Sequence, residues 1–280
     1  MAGNSYGILA GYDGSADSEQ ALSWAAREAL SRGTALTVCH AFGPGFPVPP
    51  GEDGVLDLAR RRGERVILSG LRQAQHLMGS GEARSLLVAG SAAALLCERS
   101  HDATMVVVGA RGVGGVAGLR LGSVSSQVAA HAGCRVVVVR GHWRPAAGFV
   151  PGPIVVGANG SPPSREALDF AFEEATLRGA PVLAVCALAD APGSLGRADK
   201  LREQFEDAIG RWEKHYPEVA VLRRLSHGGA RDALLTAAHD AQLLVVGARG
   251  RGGIAGMPLG SISLAALHHA PCPVGVARPA

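Results

Sequence analysis

Along the chain, short apolar runs alternate with longer stretches in which apolar residues recur every three or four positions. The first run, Gly7–Gly11, is too short for a helix and has no polar face, so it predicts a strand buried on both sides. Behind it, Ala21, Leu22, Ala25, Ala29 and Leu30 share one helical face. Ser18 is the expected N-cap of that helix, and Gly33 the left-handed residue just past its end. Leu36–Ala41, Ser85–Ala89, Thr104–Val108 and Arg135–Arg140 predict the next strands, with helical segments between them. Later in the chain the same alternation gives a helix over Ser164–Arg178 ending at Gly179. Strands are expected over Val182–Ala187, Val219–Leu225, Gln242–Val246 and Val274–Ala277. Leu201, Phe205, Ala208, Ile209 and Trp212 keep a helical period until Pro217.

The two halves are one unit written twice. Ile8–Phe42 lies over Ile154–Leu188 without a gap at a shift of 146, and Asp102 onward lies over Asp240 onward at a shift of 138. Arg140–Pro153, rich in Pro and Gly, reads as the seam, which predicts domains over residues 1–142 and 151–280. Strands that alternate with helices and are apolar on both faces predict α/β architecture, two tandem doubly wound parallel-sheet domains of the Rossmann-like kind. In such sheets ligands sit beyond the carboxyl ends of strands, where the strand order reverses.

Composition narrows the function classes. The net charge is +3, with 14 basic and 11 acidic residues up to Pro145 and 13 of each after it, so neither half is a basic nucleic-acid module. Five cysteines, without any Cys-x-x-Cys, fit free thiols in a reducing compartment. Ten histidines show no metal-ligand spacing, and no metal site of protein ligands is expected. No run of 18 apolar residues and no charged leader occur, which predicts a soluble, cytoplasmic chain without membrane contact.

Two loops carry the candidate chemistry. "GYDGS" follows the first strand, with "GANGS" as its twin. "GARGVGG" follows the fourth, and "GARGRGG" repeats it. In both units Gly-x2-Gly-x9-Gly-Ser spans Gly109, Gly112, Gly122 and Ser123, or Gly247, Gly250, Gly260 and Ser261. Glycine lets the backbone approach a bulky group, and successive N–H groups can converge on an anion. Gly-Ser opens a helix whose first N–H groups lack partners, a ready phosphate site. "GVGGVA" and "GRGGIA" also fit a dinucleotide fingerprint. That fingerprint requires the first strand and an acid about 20 residues on. Here no Asp or Glu lies between Ala103 and Ser164 or after Asp240. A Walker loop is absent too, because the only lysines are Lys200 and Lys214.

These residues resemble the universal stress proteins in tandem form. The likeness rests on the doubled glycine loop, "GYDGS" with its twin, "DAQLLVVGARGRGG" and the ending "HHAPCPVGVAR", and it covers nearly the whole chain. The resemblance implies strand order 3-2-1-4-5 and ATP binding; slow hydrolysis would need Mg²⁺, for which phosphates and water suffice as ligands. It implies that Asp13, beyond Gly11, reaches the ribose, and that the backbone at Ala41 and Ala187 reads the adenine edge. Gly109, Gly112, Gly247 and Gly250 would line ribose and phosphates. Gly122, Ser123, Gly260 and Ser261, aided by Ser125 and Ser263, would hold the phosphates. The resemblance also implies units paired through their fifth strands, a homodimer and an unnamed protein partner. One departure stands out: Asn159, beyond Gly157, replaces Asp13. An amide has one acceptor oxygen where a carboxylate has two, which predicts weaker binding by the second unit, by about 1 kcal/mol.

Bland readings stand beside these. Asp13 is either a ribose ligand or a brace for its turn. Arg111 and Arg249 are either phosphate clamps or solvated loop residues. His40 reads as a satisfied core histidine, and Asp102 and Asp240 as turn residues. No catalytic residue is assigned. Phosphoryl transfer needs metal ligands and a positioned nucleophile, and the sequence supplies one carboxylate and no lysine beside the loop. The expected function is therefore a nucleotide-dependent sensor or regulator. A slow ATPase or phosphotransferase, and a nucleotide-free protein-interaction module, are the alternatives.

Overall fold

A computed structural model describes residues 5–43, 53–114, 120–140, 152–188, 195–250 and 257–278. The chain divides into two compact units, Met1–His142 and Trp143–Pro279. The seam expected at Arg140–Pro153 lies outside the described residues except at its ends, as do Gly118 and Gly256 of the glycine loops.

The first unit runs β1 (Ile8–Gly11), α1 (Ala16–Arg32), β2 (Leu36–Phe42), α2 (Asp53–Met78), β3 (Ala83–Ala89), α3 (Ala92–Arg99), β4 (Met105–Gly109), α4 (Ser123–His131) and β5 (Arg135–Val139). The second repeats it: β6 (Ile154–Gly157), α5 (Pro162–Arg178), β7 (Val182–Leu188), α6 (Leu195–His215), β8 (Val221–His227), α7 (Ala230–Ala237), β9 (Leu243–Gly247), α8 (Ser261–His269) and β10 (Val274–Ala277). Within the first unit the strand order is β3-β2-β1-β4-β5, and within the second β10-β9-β6-β7-β8. All these pairings are parallel. Each unit is the doubly wound 3-2-1-4-5 sheet expected from the sequence.

That order follows from the chain's path. From β1 it moves outward through β2 to β3, then crosses back to lay β4 on the other flank of β1. Helices α1 and α2 pack together, as do α3 and α4, which is how right-handed crossovers in opposite directions cover both faces. The central strands are aliphatic, with Ile8, Leu9, Val106, Val107, Val136, Val137, Ile154, Val155, Leu244 and Val245 fully buried, and helix aromatics such as Trp24, Phe170 and Phe172 complete the core. Because β1 and β4 part to opposite helix layers beyond their carboxyl ends, a crevice opens there.

Two expectations shift. Ser15, not Ser18, is the N-cap of α1, and its hydroxyl accepts from the Ser18 N–H at 3.3 Å. The third strands start or end about two residues from the predicted bounds. They lie at the sheet edge and carry Arg84 and Arg223, so their apolar alternation is faint. Gly33 and Gly179 do close their helices in the left-handed conformation, at φ 61° and 60°.

Candidate functional site

In the first unit the crevice holds about 430 Å³, within the range of about 300–1,000 Å³ usual for small-molecule pockets. One wall is apolar: Ala92, Leu95 and Leu96 from α3, with Val108 and Leu121. Gly11, the last residue of β1, makes room for Leu96; a methyl group there would lie 3.1 Å from the Leu96 and Val108 side chains. Ala41, at the end of β2, forms part of the rim. His40 also lines the crevice, with Nδ1 2.8 Å from the Tyr12 carbonyl. A carbonyl only accepts, so Nδ1 donates this bond; the ring is half-buried at the crevice, not in the core expected from the sequence. Burial pushes the Cys39 thiol beside it up to about 12, although Arg99 pulls the other way.

The polar wall is the junction between the two loops. Asp13 Oδ1 accepts from the Ser15 N–H at 3.0 Å, and Oδ2 from the Val113 N–H at 2.8 Å. Burial alone raises the Asp13 pKa. The hydrogen bonds from Ser15, Val113 and Ser18 outweigh it and hold the carboxyl below its ordinary value of 3.8. Asp13 is therefore an ionised brace that lines the crevice. Asp17 adds a second clamp: Oδ2 accepts from the Arg111 N–H at 3.0 Å and lies 3.8 Å from Arg111 Nε. The Ser15 hydroxyl donates to the Arg111 carbonyl at 3.2 Å. Three side chains at the start of α1 thus fasten the glycine loop.

The glycines of that loop have different reasons. At Gly109 an added methyl would come within 2.7–2.9 Å of Asp17 and Ser18, so this glycine admits the end of α1. At Gly112 it would run into the Asp13 carboxylate. Gly122 is extended, at φ −82° and ψ 166°, and caps α4 with no side chain. Its N–H is not offered to the crevice, because it donates to the Ala110 carbonyl at 2.7 Å. The Ser125 hydroxyl is likewise turned inward, donating to the carbonyls of Ala110 and Gly122. The first intrahelical bond is Ser126 N–H to Gly122 carbonyl. The N–H groups of Ser123, Val124 and Ser125 precede it, and among the described residues they have no acceptor.

The second unit repeats the frame with different polar parts. Its crevice holds about 520 Å³, walled by Ala230 and Leu234 of α7, Val185, Ala187 and Leu259. Gly157 makes room for Leu234 as Gly11 does for Leu96. Gly260 donates to the Ala248 carbonyl at 2.8 Å, and the Ser263 hydroxyl to Gly247 and Ala248. Leu264 N–H to Gly260 carbonyl starts the ladder of α8, which leaves the N–H groups of Ser261, Ile262 and Ser263 without acceptors among the described residues. Asn159 keeps one brace: its Oδ1 accepts from the Ser161 N–H at 3.0 Å. Pro163 occupies the place of Asp17, and its backbone sits against Gly247.

The sequence profile of the universal stress protein family matches residues 7–140 and 152–278. The chain belongs to that family. A universal stress protein of Mycolicibacterium smegmatis is 36% identical, covering 98% of this chain and 97% of the relative. One from Mycobacterium tuberculosis is 35% identical with the same coverage. The crystal structure of a universal stress protein from Archaeoglobus fulgidus shares the fold with a TM-score of 0.74 at 20% identity, over 97% of this chain and 96% of that one.

In this universal stress protein the crevices bring together most residues singled out in the sequence: Gly11, Asp13, Ala41, Gly109, Gly112, Gly122, Ser123 and Ser125 in one, and Gly157, Asn159, Ala187, Gly247, Gly250, Gly260, Ser261 and Ser263 in the other. Sequence reasoning missed Asp17, Ser15 and the leucines of α3 and α7. Asp17 carried a usable signal, since the gapless repeat sets it against Pro163.

Proposed function

We propose that each unit of this universal stress protein binds ATP, and that the bound state alters the protein's contacts with a partner. What supports the reading most is the start of α4 and of α8. Each helix opens on a glycine that supplies no cap, and three successive N–H groups stand at a crevice of nucleotide size without a protein acceptor. Such a helix end carries about half a positive charge, which suits a phosphate chain. The leucine wall suits the flat face of a base, and ionised Asp13 suits ribose hydroxyls.

Mg²⁺ accompanying the nucleotide would take its ligands from phosphates and water, because among the described residues no three His, Cys, Asp or Glu side chains gather as a metal site. Turnover is slow in this reading: among the described residues no side chain is placed to activate a nucleophile against a terminal phosphate. Five cysteines, four of them buried and none in a disulfide, support a reducing compartment such as the cytoplasm. No helix among the described residues is long and apolar enough to cross a membrane. Homodimerisation would complete the proposed assembly.

The test is to identify by mass spectrometry what purified protein releases on heating, and to titrate emptied protein with ATP in a calorimeter. Micromolar binding supports the reading, and absence of any nucleotide in both measurements removes it. Hydrolysis faster than about one ATP per second would make the protein an ordinary enzyme instead.

A further inference from the structure

The corner where α1 meets the glycine loop is closed in the first unit, and among the described residues the same ties are missing in the second. In the first, Ser15 spends its hydroxyl on the Arg111 carbonyl, and Asp17 holds both the Arg111 N–H and its guanidinium. Asp13 takes the Val113 N–H. In the second, the Ser161 hydroxyl is 93% buried at the crevice wall and has no hydrogen-bond partner among the described residues. Proline removes the carboxylate that would claim Arg249, and neither its N–H nor its exposed guanidinium has a partner among the described residues. Lys200 of α6 lines the adjoining cleft together with Ser161, Pro163 and Gly250. Among the described residues, a methyl at Gly250 would meet nothing within 4 Å.

The formal charges differ accordingly. Among the described residues, Asp13, Asp17 and Arg111 leave the first corner one charge negative, and the lining residues Arg249 and Lys200 leave the second two charges positive. An orphaned buried hydroxyl beside two uncommitted cations is a site built for anionic oxygens. We infer that the second unit carries an added phosphate subsite, formed by Ser161, Arg249 and Lys200, and selects its ligand by phosphate number, whereas the first unit selects by nucleoside. This rests on the nucleotide reading and divides the labour within it. Asn159 weakens the hold on ribose, and the added subsite strengthens the hold on the terminal phosphates.

The test uses the unmodified full chain with methyl-labelled leucines. Leu96 and Leu234 each line one crevice, so their methyl signals report the two sites separately. AMP, ADP and ATP are titrated in turn at constant ionic strength. From AMP to ATP the affinity read at Leu234 should rise by about thirtyfold or more, and that at Leu96 by less than about fivefold, given the charge difference. Lys200→Glu should flatten the Leu234 series and leave the Leu96 series unchanged. Equal rises at both leucines, or a Leu234 series untouched by Lys200→Glu, would overturn the subsite while leaving nucleotide binding intact. Silence at both leucines with all three ligands would overturn the nucleotide reading itself, and the subsite with it.

Discussion

Val113 donates its backbone N–H to the Asp13 carboxylate at 2.8 Å, joining loops 100 residues apart in sequence. The bond makes one side chain both a candidate ribose acceptor and the pin of the candidate phosphate loop. The two readings of Asp13 in the sequence are therefore compatible. The brace is what presents the carboxylate, and its ionised state is what both roles use.

Asp13→Ala should release that loop. Two N–H groups lose their acceptor, and thermal unfolding should show about 1–2 kcal/mol lost from the first unit. ATP affinity there should fall at least about tenfold, one bond's worth. The pH dependence has a definite sign. The folded Asp13 pKa lies below 3.8, so its contribution is fully present above the unfolded value and is lost as pH falls through the lower folded value. Acid titrations of wild type and Asp13→Asn should diverge in that window and run parallel above about pH 5.

Gly112 and Gly250 are equivalent in sequence and should respond oppositely. Gly112→Ala drives a methyl into Asp13 and should cost about 1–3 kcal/mol. Gly250→Ala enters open space and should change stability by less than about 0.5 kcal/mol. Denaturant unfolding of the two variants decides this, and equal losses would refute the asymmetric bracing.

A buried ion pair recurs in both units. Arg178 Nη2 lies 2.7 Å from Glu174 Oε2, and the Glu174 side chain has no exposed surface. Arg178→Ala should destabilise the second unit by about 3 kcal/mol, because a desolvated carboxylate loses its guanidinium. Differential scanning calorimetry should show that unit melting earlier.

Cys39 lines the first crevice but stays a thiol, since burial holds its pKa near 12. Folded protein treated with iodoacetamide at pH 8 should show Cys39 unmodified by peptide mass spectrometry. Rapid labelling would mean that the wall opens.

The fold was legible in the sequence because its signals are local and doubled. Strand runs such as Val106–Val108 and helix ends such as Gly33 and Gly179 are set by nearest neighbours, and each occurs twice. The candidate site was legible only in part. The glycine spacing pointed to the crevice, yet Gly109 proves to be a helix contact, and the Gly122 N–H proves to be claimed by Ala110. The first fact depends on residues brought together by the β1–β4 pairing, and the second on the loop after β4 folding back on its own start, and neither is encoded in a local pattern. Ser15 displaced Ser18 as cap for a similar reason: two serines three apart compete for one helix start, and the geometry of the turn decides. The leucines of α3 and α7 carry no distinguishing pattern in the sequence, and only the topology brings them to the crevice.

The central claim is that unsatisfied amides at the starts of α4 and α8 grip phosphate. It is tested most directly by the ¹⁵N–¹H resonances of Val124 and Ile262, compared with adenosine and with ATP. The account predicts large downfield proton shifts and slowed hydrogen exchange with ATP and little change with adenosine. Saturating ATP that leaves both amides where adenosine leaves them would contradict it.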